Sequence, residues 1–172
     1  MNLDGGIHEV PVPGATGRLW LCGKHYIAPR FEETLAELPA DQIVCLVHEH
    51  ELRDRYEPYL QWLRNSDRSR WFPIHDLSSP AFDDVVSLYR SVTEDLRAGR
   101  RIVVHCAAGR GRAGTLAVAV CLLQGAPLDE AMAHVRRHRP GAGPEAGSQL
   151  QTLQQLARSG GGVSEASAEG RK

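Results

Sequence analysis

Cys106 opens a run of seven residues, Cys-Ala-Ala-Gly-Arg-Gly-Arg, that closes on Arg112. A thiolate attacks phosphorus readily, and a guanidinium holds two oxygens of a phosphoryl group side by side. Between them, the small residues among Ala107, Ala108, Gly109, Arg110 and Gly111 let successive backbone N–H groups converge on one point and cradle an oxyanion. The same donors favour the thiolate over the thiol. Loop and nucleophile then form one device, with the sulfur in line for attack on a phosphorus whose oxygens the loop holds. Gly and Arg are common in this chain, so the bare spacing is weak evidence, and the competing reading is an inert cysteine in a tight turn. The sixth residues after Cys22, Cys45 and Cys121 are Ala28, Glu51 and Pro127, so Cys106 alone has Arg at that spacing.

Position makes the run informative. Residues 101–105 (RIVVH) read as a short buried strand and 112–124 as an apolar helix, so the loop lies where a strand hands over to a helix N-terminus, whose dipole favours an anion. Three more runs, 18–23, 42–47 and 71–74, read as buried strands. Helical patterns cover 31–38, 54–63 and 82–98, the last with Val85, Leu88, Tyr89, Val92 and Leu96 at helical spacing before Gly99. Two further helices, 128–138 and about 146–158, follow the apolar one. In the first of these Asp129 and Glu130 suit the positive end of the dipole, and Arg136, Arg137 and Arg139 the negative end, which gives those arginines a bland explanation. Strands alternating with helices predict an α/β domain with a largely parallel sheet. Residues 1–17 form an N-terminal segment, 18–158 the domain, and 159–172 (SGGGVSEASAEGRK) a flexible tail.

Composition bounds the remaining choices. Twenty Lys and Arg against 21 Asp and Glu leave a net charge of −1, so no global field drives the chain onto nucleic acid or anionic lipid, and anion chemistry must come from a local site. Only Lys24 and Lys172 are Lys, and a GC-rich genome accounts for the Arg bias without any ligand. Four dispersed cysteines suggest reduced thiols rather than a disulfide framework, which suits a cytoplasm. Neither a signal peptide nor a membrane span is expected. His48 with His50, and His134 with His138, have metal-ligand spacing, but no further convincing ligand stands near either pair, so no metal is expected. Cys22 and Cys45 are read as small buried residues that could trap an oxidised Cys106. Trp20, Trp62 and Trp71 are read as core packing.

His105-Cys106, five residues and Arg112 together resemble the signature of the cysteine-dependent protein tyrosine phosphatase superfamily. Residues 71–80 (WFPIHDLSSP) are similar to the movable general-acid loop of its small dual-specificity branch, and 136–149 (RRHRPGAGPEAGSQ) to its Arg-Pro-Gly segment followed by a Gln. The resemblance spans roughly 19–156, with its segments in the family's order. It implies a single α/β domain with a central, largely parallel four- to five-stranded sheet flanked by helices, and phosphomonoester hydrolysis through a phosphocysteine intermediate without metal or organic cofactor. Asp76 would be the acid that protonates the leaving oxygen, in preference to Asp83 and Asp84, which suit the dipole at the start of their helix. His105 would orient the loop, Gln149 would position water, and Glu51 would anchor the active-site loops through an Arg that the sequence alone does not identify. One position departs from the pattern: the family carries Ser or Thr immediately after the loop Arg, and here stands Ala113, which predicts slow breakdown of the intermediate.

The expected substrate is a phosphorylated protein or peptide, as phosphotyrosine or with dual specificity, handled by a cytoplasmic monomer. Arg110, a second positive charge in the loop, keeps a phosphoinositide or other small phosphomonoester as an alternative substrate. A catalytically slow phosphoprotein-binding module is the alternative outside enzymes, against which Cys106, Arg112 and Asp76 all argue. An arsenate reductase would carry its loop near the N-terminus, and a rhodanese leaves Asp76 unexplained.

Overall fold

Runs in which consecutive residues are all apolar need a sheet covered on both faces, because neighbouring side chains on a strand point to opposite sides. The computed structural model, which describes residues 4–165 and the side chains of 4–160, has that form. Its strands are β1 (Ile7–Glu9), β2 (Arg18–Gly23), β3 (Gln42–Cys45), β4 (Ser69–Trp71) and β5 (Arg101–Cys106). They lie in the order β1-β2-β5-β3-β4, with β1 antiparallel to β2 and every other pair parallel. Every residue of β3, and all but the first of β2 and β5, is buried.

Among the described residues seven helices accompany the sheet: α1 (Lys24–Ile27), α2 (Phe31–Glu37), α3 (Glu57–Asn65), α4 (Phe82–Arg97), α5 (Gly111–Leu123), α6 (Leu128–His138) and α7 (Gly147–Glu165). Residues 111–121 of α5 are buried without a break. A helix apolar all round belongs in the core, and α5 accordingly packs against α4, α6 and α7 as well as β5 and β2. Gly114 makes this possible, since a Cβ there would overlap the backbone at Gly143.

Several boundaries differ from those expected. A short strand, β1, lies within the 1–17 segment, and the turn α1 and a 3₁₀ turn at Glu49–Glu51 are additional elements. The third helix begins at Glu57, where Pro58 suits a first turn, rather than at Asp54, whose φ of 67° is left-handed. The strand expected over 71–74 is Ser69–Trp71, ending before Pro73, which has no amide to donate. The α7 backbone runs on through Glu165 into the expected tail, whose last residues, like Met1 to Leu3, lie outside the described residues.

The parallel strands fix where chemistry can be placed. Because β2, β5, β3 and β4 run the same way, the segments leaving them, at 24, 107–110, 46–56 and 72–81, converge along one edge of the sheet.

Candidate active site

Cys106 is the last residue of β5 and is 3% exposed. The turn beyond it presents four successive carbonyl oxygens, each taken by a donor from elsewhere. Ala107 O accepts the Lys24 amide at 3.0 Å. Ala108 O and Gly109 O accept Arg139 Nη2 and Nε at 2.9 and 2.7 Å. Arg110 O accepts the amides of Gly114 and Gly143 at 2.9 and 3.0 Å. The amides of Ala108 to Arg112 enter none of these turn and cap bonds. A backbone whose oxygens are all held on one side is a preorganised donor for an anion on the other. Gly109 is required by the tight path, with φ at 72° and a hypothetical Cβ overlapping the Cys22 backbone.

Beneath the turn, His105 is fully buried, its Nε2 2.7 Å from Tyr59 Oη and its Nδ1 3.2 Å from Cys106 O. Burial pushes it down to about 4, aided by the charge of Arg112, so at neutral pH it is an uncharged brace.

Arg112 leaves the first turn of α5 and turns back under the site, 2% exposed. Nη1 and Nη2 meet Glu51 Oε2 and Oε1 at 2.9 and 2.8 Å, and Nη1 also donates to Ile74 O at 2.7 Å. Burial raises the Glu51 carboxyl, but the hydrogen bonds from Arg112 and from the His48 amide outweigh it and hold the group below its ordinary value. Glu51 thus takes the end-on edge of the guanidinium. Nε is buried without a partner, which leaves one donor of the side-on edge for a phosphoryl oxygen. Asp76 Oδ1 lies 3.7 Å from Arg112 Nη2, with the side chain 63% exposed, while Asp83 and Asp84 stay in the first turn of α4. Cys106, Arg112 and Asp76 are therefore brought to one place, from the end of β5, the first turn of α5 and the segment beyond β4.

Gln149 lies elsewhere than a residue facing water would. It is 1% exposed; its Oε1 accepts the amides of Glu145 and Ala146 at 2.8 and 3.3 Å, and its Nε2 donates to Ser78 O at 3.4 Å. Ser79 Oγ meets Thr152 Oγ1 at 2.9 Å. Both contacts tie the Asp76 segment to the start of α7.

Arg139, expected only to suit the negative end of the α6 dipole, instead reaches inward to the phosphate loop. Arg139 is 1% exposed, the largest fully buried side chain among the described residues, and has no carboxylate partner among them. Besides the two loop carbonyls it donates to Gly6 O at 3.2 Å and meets His8 Nδ1 at 2.6 Å. Its position in the Arg-Pro-Gly segment was the available signal. Burial, with the charges of Arg139 and Arg110, keeps His8 below its ordinary value, so it can accept.

The histidine pairs are structural in their contacts. His134 Nε2 meets Pro11 O at 2.6 Å, His138 Nδ1 meets His134 O at 2.9 Å, and His48 stacks on His75 with centroids 4.2 Å apart. Among the described residues no three His, Cys, Asp or Glu side chains are placed to hold a metal ion. Cys22, Cys45 and Cys121 are free buried thiols; burial raises all three, Cys45 to about 12 and Cys121 to about 11.

Residues 28–160 match the family model described as "PTP-SAK: Swiss Army Knife protein, DSP-PTPase phosphatase domain". A curated relative, "Dual specificity protein phosphatase 1" of Arabidopsis thaliana, is 38% identical over 76 residues, which are 42% of this chain and 37% of that protein. Among solved structures, Tk-PTP in its active form is 26% identical with a TM-score of 0.69, covering 92% of this chain and 99% of that one. PTPMT1 in complex with PI(5)P has a TM-score of 0.71 over 92% of this chain and 98% of that one; at 15% identity it speaks to the fold alone.

Proposed function

The chain belongs to the DSP-PTPase phosphatase-domain family, and from that premise we propose that it hydrolyses phosphomonoesters through a phosphocysteine intermediate at Cys106, acting on phosphorylated protein or peptide. The observation that carries this reading is the pairing of Cys106 with a loop whose carbonyls from Ala107 to Arg110 are all bound and with Arg112, whose buried Nε has no protein partner.

The substrate phosphate sits in the turn, its oxygens on the amides of Ala107 to Arg112 and on the Arg112 guanidinium. The Cys106 sulfur forms a bond to phosphorus as the bond from phosphorus to the leaving oxygen breaks, and Asp76 gives that oxygen its proton. Asp76, now a carboxylate, takes a proton from water as the water oxygen attacks phosphorus; the P–S bond breaks, the thiolate returns and inorganic phosphate leaves. His105 stays neutral and holds the Cys106 carbonyl end of the turn. Glu51 fixes Arg112 so that its planar fork is presented in one orientation. Gln149 acts on the acid segment by tethering Ser78.

The same reading has the protein working as a cytoplasmic monomer without metal; no helix among the described residues is long and apolar enough to cross a membrane. Hydrolysis of para-nitrophenyl phosphate with chelator present tests it. Cys106→Ser should fall to background, and Asp76→Ala should lose about 10²–10³-fold in kcat. Full activity in the Cys106→Ser protein would remove the mechanism, whereas unchanged activity in Asp76→Ala would reassign only the acid.

A further inference from the structure

The acid segment is fastened at its two ends and strained between them. On the β3 side its backbone is paired as far as Ile74: the amides of Phe72 and Ile74 donate to Cys45 O and Leu46 O at 2.9 Å, and Trp71 Nε1 donates to Val47 O at 2.7 Å. On the other side Ser78 and Ser79 are tied to α7 through Gln149 and Thr152. Between these anchors the Ser78 amide donates to His75 O at 3.2 Å and the Leu77 amide to Asp76 Oδ1 at 3.0 Å, closing a turn. Leu77 has a left-handed φ of 55°, which glycine adopts without cost and leucine does not, and its side chain is 56% exposed, so burial does not offset the strain. The Asp76 carboxylate is exposed and 3.7 Å from Arg112, where water screens the attraction. A contact from outside the turn must therefore keep the acid in place.

His48, in the loop after β3, makes that contact. Its ring stacks on His75, the residue before the acid, with centroids 4.2 Å apart and planes 23° from parallel. The ring is itself fixed from the Arg112 side. The His48 side chain accepts from the Glu51 amide while the His48 amide donates to Glu51 Oε2 at 2.9 Å, and His50 stacks on the same ring at 5.6 Å. Glu51 is the carboxylate that orients the Arg112 guanidinium, so one imidazole joins the phosphate-binding fork to the turn that carries the acid. Its Nε2 is buried without a hydrogen-bond partner, a cost that a purely packing side chain would not carry. A flat ring that both caps the Glu51 turn and offers a face to His75 accounts for the choice. We infer that His48 is a positioning residue for the acid, holding Asp76 in register with a phosphate on Arg112 through its stack on His75. This rests on the assignment of Asp76 as acid in the reading above.

The test removes the stack from either side. His48→Asn keeps a side-chain acceptor for the Glu51 amide, since asparagine caps readily, and loses the ring. His75→Ala, at an exposed position, loses the other half of the stack with the cap intact, and His75→Phe restores a ring. The readout is kcat/KM, which reports phosphoryl transfer to Cys106, on two substrates: phenyl phosphate, whose leaving oxygen needs a proton, and 2,4-dinitrophenyl phosphate, whose phenoxide leaves without one. His48→Asn and His75→Ala should each lower kcat/KM for phenyl phosphate about tenfold and leave that for 2,4-dinitrophenyl phosphate within about twofold, and His75→Phe should recover most of the loss. In an Asp76→Ala background neither substitution should cost anything further on phenyl phosphate. Equal losses on the two substrates would show a ring that only supports its loop and would overturn the inference. Wild-type values in both variants, or a tenfold loss that persists without Asp76, would overturn it as well. Asp76→Ala alone decides the underlying assignment: if it spares phenyl phosphate, the acid lies elsewhere and the role of His48 falls with it. A selective loss in Asp76→Ala with none in the histidine variants defeats the role of His48 alone.

Discussion

Ala113 follows the loop arginine and is fully buried, in the first turn of α5. The nearest hydroxyl along the helix, on Thr115, donates to Gly111 O at 2.6 Å and is spent on its own backbone. No side-chain hydroxyl on α5 is therefore free to hydrogen-bond the departing thiolate when water breaks the P–S bond, so attack on substrate should outpace release of phosphate. Rapid-quench kinetics should show a burst of product near one equivalent per site followed by a slower steady rate, and Ala113→Thr should raise the steady rate about five- to tenfold while the burst amplitude changes little. A steady rate unmoved by the hydroxyl would place the slow step elsewhere. Cys106, the loop and Arg112 could be recognised in the sequence because their chemistry sits within seven consecutive positions. The partner of Arg112 could not, because Glu51 is 61 residues away and only folding brings the two carboxylate oxygens onto the guanidinium. The same holds for the contacts of Gln149: the resemblance implied a role on water, and its position in the first turn of α7 commits both ends of the amide to backbone groups that the sequence does not pair with it.

The elements that were read correctly from the sequence are those with strong local patterns, such as α4 with its helical stripe and β5 with its unbroken apolar run. β1 has only three half-buried residues, and its reason for existing is tertiary: it pairs with β2 and presents the carbonyl of Gly6 and the imidazole of His8 to Arg139. Arg139 thereby joins three elements that are far apart in sequence, α6, the phosphate loop and the segment at β1. A buried guanidinium satisfied by carbonyls rather than a carboxylate keeps its positive charge behind the turn, where it favours an anion in front. Arg139→Met would leave the oxygens of Ala108 and Gly109 without donors in a dry site, and should cost about 3 kcal/mol in urea melts. Arg139→Lys keeps the charge but supplies a single point of donation in place of a fork; it should fold with a smaller loss and bind tungstate about tenfold more weakly, by displacement of a chromogenic substrate. Tungstate affinity equal to wild type in Arg139→Lys would show that the turn holds its shape without the fork.

At the scale of the whole molecule the class of fold was legible, since apolar runs alternating with amphipathic helices admit few arrangements other than a covered parallel sheet. Its dependence on acid was not, because that arises from groups whose burial only the assembled fold decides. Burial first, then the field of Arg112, holds His105 at about 4 against an ordinary value of 6.5. A histidine with a depressed value in the native state stabilises the fold above its unfolded value, and that stabilisation is lost as pH falls, since the unfolded chain takes up a proton the native state refuses. From pH 6.5 down to about 4 the loss from His105 should reach about 3 kcal/mol, and below that it should not grow. His8 acts in the same direction, depressed chiefly by burial and then by Arg139 and Arg110, and Glu51 adds its own loss once pH falls below the ordinary carboxylate range. All three brace the same loop, from beneath, behind and through Arg112, so acid should loosen the catalytic turn together with the fold. Urea melts of wild type at pH 7.5, 6.5, 5.5 and 4.5 should show a steep decline, and His105→Gln, which can still meet the Tyr59 hydroxyl but does not titrate, should begin less stable at pH 7.5 and decline more gently. Parallel slopes for the two proteins would mean that protonation of His105 is not what the native state resists.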